Sequence, residues 1–185
     1  MKKLNRALQT ASVFFATTLL LASSVMASPN SEVEVDRLFK TESVDAVISM
    51  AFETKSSRYT EFAQLFNLCQ KRPNDERCGD EYKGKRTRYE VAKSNYGALL
   101  MVNAPEFRTL PMPEVNHPEF VNSLKVLGYL KSDLDNVSKE QALFALNQWL
   151  VMNDFEMTSD VFLMHALLVR AQELSQLLEM ERNKA

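Results

Sequence analysis

The chain has 185 residues, with 22 Lys and Arg against 24 Asp and Glu and a formal net charge of -2. That balance leaves no basic excess for the phosphates of a nucleic acid. Four glycines are too few for an all-β fold full of tight turns, and the Leu, Met, Ala, Glu and Lys content favours helix.

The chain opens with Lys2, Lys3 and Arg6, an apolar run over residues 11–25, and a small-residue exit at Val25-Met26-Ala27-Ser28. This is the three-part pattern of a secretory signal, so residues 1–27 are expected to be removed by cleavage after Ala27, placing the protein in a periplasm. The run is shorter than the roughly 20 residues that cross a bilayer, and no stable membrane span is expected after cleavage. No Cys lies at the cleavage point, which argues against a lipid anchor. Losing those three positive charges moves the formal charge from -2 to -5.

Residues 28–102 predict a helical domain. Val35, Leu38, Phe39, Val44, Val47, Ile48 and Ala51 keep steps of three and four. Thr41-Glu42-Ser43 interrupts them with cap-favouring residues, predicting two short helices over 31–52. Tyr59, Phe62, Leu65, Phe66 and Cys69 make a further stripe, and Tyr82, Arg86, Tyr89, Ala92, Tyr96 and Leu99 another. Between those two helices a polar turn has Cys69 at one end and Cys78 at the other. In an exported chain such a pair predicts a disulfide stapling a helical hairpin. A redox pair or metal site is the alternative, but redox cysteines usually sit two residues apart and no His lies nearby. Lys83, Lys85, Arg86 and Arg88 read as the wet face of the second hairpin helix, with contact to anionic wall polymer or the membrane surface as the alternative.

Residues 103–118 carry Pro105, Pro111, Pro113 and Pro118 and read as a linker. Residues 119–185 predict a second helical domain whose apolar blocks are separated by Gly128, by Asp135-Asn136 and by Thr158-Ser159-Asp160. The last helix runs on through Leu174, Leu177 and Leu178, a stripe expected to pack back on the first domain, with a partner as the alternative cover. Leu143, Leu146, Trp149 and Leu150 form one face of the middle helix. Trp149, the only Trp, reads as a core anchor or as a stacking platform for a sugar. Asp135 and Asn136 read as a turn or as hydrogen-bonding groups for a glycan or peptide stem.

Across residues 120–168 the spacing resembles the peptidoglycan-binding-like three-helix domain of bacterial cell-wall hydrolases. Leu127-Gly128-Tyr129 matches its first signature, Asp135 the turn Asp, Ala145-Leu146 its apolar pair, Trp149 an aromatic position, Phe155 a Leu and Thr158 a late Thr. Asn136, Lys139, Asp154 and Ser159 stand where the family carries Gly, with Ala142 for its Thr and Leu150 for its Gln. The resemblance implies an all-α C-terminal three-helix bundle with Tyr129, Asp135, Asn136 and Trp149 as candidate binding residues.

No nucleophile elbow, His-Glu-x-x-His helix or phosphate loop occurs, so no catalytic residue, metal or cofactor is assigned. His117 in the linker is expected to be solvated, and His165 in the last helix to be a packing residue. The expected function is that of a non-catalytic periplasmic envelope protein that binds peptidoglycan or anchors a partner at the wall. The alternative is a protein interaction module, an accessory subunit or inhibitor of an envelope complex, that has lost glycan binding.

Overall fold

The computed structural model describes residues 38–184; the proposed signal and its cleavage site lie outside them. Among the described residues the fold is all-α, with six helices and no strand. We label the helices α1 (Thr41–Lys71), α2 (Asp80–Val102), α3 (Pro105–Arg108), α4 (Pro118–Val126), α5 (Lys139–Met152) and α6 (Leu163–Arg182). A 3-10 turn, Glu76–Cys78, joins α1 to α2.

Leu38 is helical, the chain breaks at residues 39–40 and Thr41 opens α1, so the expected interruption falls just ahead of Thr41, but the helix after it is not short: α1 runs 31 residues without a break. Its span is roughly 46 Å at the usual rise. Glu42 lies in the first turn, where a carboxylate suits the positive end of the helix. The Thr-rich and Ser-rich middle stays helical because Thr54 Oγ1 donates to the Met50 carbonyl at 2.9 Å and Thr60 Oγ1 to that of Ser56 at 3.0 Å. Bonding back to position i-4 lets these residues remain inside a helix.

Cys69 and Cys78 form a disulfide with Cα atoms 5.5 Å apart, joining the end of α1 to the 3-10 turn before α2. Aromatic rings line the hairpin below it: Phe62 lies 5.6 Å from Tyr82 and 5.8 Å from Tyr89, and Tyr59 lies 5.4 Å from Tyr89. The helix α6 then lies against both arms. Its end packs back as expected, with Leu178 buried, Arg58 donating to Glu181 at 2.6 Å and Arg182 to Ser57 Oγ at 2.8 Å.

The proline-rich segment is pinned at three places. Arg108 is buried and donates to the Asn103 carbonyl at 2.9 Å and the Phe39 carbonyl at 3.4 Å. Met112 N–H reaches the Val161 carbonyl at 2.9 Å and Leu163 N–H that of Leu110 at 2.8 Å, around an isolated bridge between Pro111 and Phe162. Asn116 Nδ2 holds the Val137 carbonyl at 3.1 Å. One buried cluster takes Phe39, Val44 and Leu99 from before this segment and Leu124, Leu146, Trp149 and Leu168 from after it.

Two chain reversals set the surface of the later half. Gly128 follows α4 with φ of +84°, and Tyr129 N–H returns to the Leu124 carbonyl at 2.9 Å. A positive φ is cheap for Gly because it has no Cβ. The α5 helix starts in a capping box, Ser138 Oγ accepting from Gln141 N–H at 3.2 Å and Gln141 Oε1 from Ser138 N–H at 2.9 Å. After α5, Asp154 takes φ of 61°. It is the only non-Gly residue with positive φ among those described, so Asn136, which stands where the resembled family carries a turn Gly, does not adopt a left-handed backbone.

Candidate interaction surface

Trp149 does not present a ring to solvent. It is 0% exposed, stacked 5.7 Å from Phe155 with 17° between the planes, and its Nε1 donates to Gln172 Oε1. The hydrogen bond satisfies the indole and the burial removes both its faces. A sugar-stacking role is therefore corrected to a core role, since any stacking would require α5 and α6 to part.

The other three candidate residues do not meet it. Asp135 and Asn136 are exposed and line a polar hollow of about 460 Å³ with Glu114, Asn116, Asn122 and Lys125. Tyr129 is half-buried and lines a different hollow, of about 530 Å³, with Phe144, Val151, Met152 and Met157. The structure thus separates Asp135 and Asn136 from Tyr129 and puts Trp149 in the buried core, lining neither hollow.

The second hollow follows from the pattern of α5. Ala142, Ala145, Leu146, Trp149 and Leu150 point inward, and Phe144, Gln148, Val151 and Met152 recur at steps of four, three and one on the opposite side. Phe144 is 65% exposed, Met152 74% and Met157 66%. A helix with apolar residues on two faces and cover on only one leaves a patch of the kind that serves association. Met157 is held beside it by a two-point clamp, Asn147 Nδ2 donating to the Thr158 carbonyl at 2.9 Å and Asn147 Oδ1 accepting from Thr158 N–H at 2.8 Å. Sequence reasoning followed the stripe through Trp149 and missed this one. The signal available was the surplus: Phe144, Val151 and Met152 do not fit the inward stripe.

Charge on the hairpin is mostly paired. Lys83 reaches Asp80 at 3.3 Å, Lys85 reaches Glu81 at 3.6 Å and Arg88 reaches Glu181 at 3.8 Å. Partial burial pushes the Glu181 carboxyl up, but the hydrogen bond and charge of Arg58, with Arg88 and Lys85 beyond, outweigh it and hold the group below its ordinary value. Arg86 has no carboxylate partner among the described residues.

His117 is exposed, and its Nδ1 caps α4 by accepting from Glu119 N–H at 3.4 Å. His165 is fully buried, its ring 4.7 Å from that of Phe39. Its Nδ1 accepts from Phe162 N–H at 3.2 Å, while Nε2 finds no partner. Burial pushes its pKa down to about 3, so the ring is neutral with the proton on Nε2. Among the described residues no three His, Cys, Asp or Glu side chains gather as a metal site would require.

No family model, curated protein or solved structure matches the chain.

Proposed function

We propose that this is an exported, non-catalytic protein of the cell envelope that acts by binding another protein through the outer face of α5. The observation that carries this is the uncovered apolar hollow of Tyr129, Phe144, Val151, Met152 and Met157. Methionine suits such a role because its unbranched, polarizable side chain adapts to a partner's shape. The burial of Trp149 removes the strongest aromatic candidate for gripping a glycan and so favours a protein partner over the wall polymer.

Photo-cross-linking from position 148, at the edge of the hollow, tests this in intact cells. A stoichiometric adduct that disappears when Phe144→Glu is added is the expected result. No adduct, or one indifferent to Phe144→Glu, overturns it.

Direct wall binding is the second reading, favoured by the polar hollow that holds Asp135 and Asn136. Sedimentation with purified sacculi separates the two. Retention in the pellet that Asp135→Ala abolishes supports wall binding, and full recovery in the supernatant at low salt removes it.

A further inference from the structure

Every residue that lines the hollow on the outer face of α5 is uncharged, in a chain of which 25% is charged. A two-fold contact sets a patch against its own copy, so any charge on the patch is brought toward a like charge. An uncharged patch meets no such repulsion. It also offers nothing to a charged partner or to a lipid headgroup, whose recognition depends on opposite charge.

The spacing on this face suits self-pairing as well. Phe144, Gln148 and Met152 stand four apart and so form one ridge along α5. Two such ridges interdigitate when the helices cross at about -50°. A two-fold axis at Gln148 then sets Phe144 against the partner's Met152, and Met152 against the partner's Phe144. The Gln148 amide, which both donates and accepts, meets its own kind at the centre. Phe144 and Met152 project, 65% and 74% exposed, beside a hollow of about 530 Å³, so the face carries both the knob and the hole that a copy requires. The capping box at Ser138 and the Asn147 clamp on Thr158 fix the face before contact, which lowers the ordering cost of association.

We propose that a second copy of this chain covers the outer face of α5, in a two-fold dimer centred on Gln148. This rests on the reading of that face as a protein-binding surface and names its partner. Phe144, Val151, Met152 and Met157 present roughly 400 Å² of apolar surface per copy, about half of what each partner buries in a standard interface. The dimer is therefore weak and concentration-dependent, half assembled on the order of 100 µM.

Sedimentation equilibrium of the purified protein should give the monomer mass near about 5 µM and approach twice that mass near about 1 mM. Phe144→Glu places two like charges in the contact and should weaken assembly at least about tenfold, with the melting temperature unchanged because Phe144 is exposed. Cys69 and Cys78 are bonded to each other, so Gln148→Cys adds the only free thiol. With oxidised glutathione it should give a disulfide-linked dimer, and Ser94→Cys, exposed on α2, should not. A monomer at every concentration, equal dimer yields from the two cysteine variants, or unchanged assembly of Phe144→Glu overturns the second copy. The photo-cross-link from position 148 separates that failure from failure of the underlying reading. An adduct that is not twice the mass of the chain overturns the second copy and keeps the docking surface, whereas no adduct removes both.

Discussion

The two faces of α5 carry similar side chains and opposite fates. One face sets Trp149, Leu146 and Leu150 against α6 and the rest of the core, with no exposure at all. The other sets Phe144, Val151 and Met152 in solvent beside Met157. Hydrophobicity alone cannot distinguish them. What differs is whether the chain supplies cover, and only the inward face meets another helix.

The sharpest way to break this contrast is to truncate each face in turn. Trp149→Ala removes a fully buried ring stacked on Phe155 and orphans Gln172 Oε1. We expect a loss of about 3 to 5 kcal/mol in chemical denaturation. A change near zero would mean that the indole is not packed as described.

A second perturbation of the inward side needs no mutation. His165 is neutral in the folded state because burial pushes its pKa down to about 3, whereas in the unfolded chain it titrates near the ordinary imidazole value of 6.5. Below pH 6.5 the unfolded chain therefore binds a proton that the folded chain refuses. Stability is fully present above that pH and falls as the pH drops toward 3, with a slope of at most about 1.4 kcal/mol per pH unit. Between pH 6.5 and pH 5 the loss should approach about 2 kcal/mol. His165→Met, close in size and free of the unpartnered Nε2, should flatten the profile in that interval. An equal slope in both proteins would assign the dependence to other groups.

The contrast also marks how far residues alone could be read. Periodicity finds α2, α5 and α6, and the Gly128 reversal, because each rests on local chemistry: steps of three and four, a capping box and a positive φ. The continuity of α1 is hidden because the apolar stripe ending at Ala51 and the one starting at Tyr59 are separated by the polar residues 53–58, among which Thr54 stays helical by turning its hydroxyl back on the Met50 carbonyl. The prolines of residues 103–118 read as a linker, yet buried Arg108 ties that segment to Phe39, a contact across 69 positions that no local pattern encodes. The candidate residues were legible as types but not as a set. Tyr129, Asp135 and Asn136 sit within eight positions of one another and still face two different hollows.

The smallest expected effect sharpens the comparison most. Phe144→Ser and Met152→Ser each remove a large apolar group from the outer face, and neither group has its surface covered in the isolated chain. Folding leaves these groups in water, so the transfer free energy that makes Trp149→Ala severe is largely absent here. Each change should alter stability by less than about 0.5 kcal/mol. Measured alone by denaturation, the pair would look inert. Measured by the position 148 cross-link, the same pair should lose most of the adduct, because apolar groups at the centre of an interface carry much of its affinity. A destabilisation near that of Trp149→Ala would instead mean that the outer face is covered within the chain, and the two faces of α5 would then cease to differ.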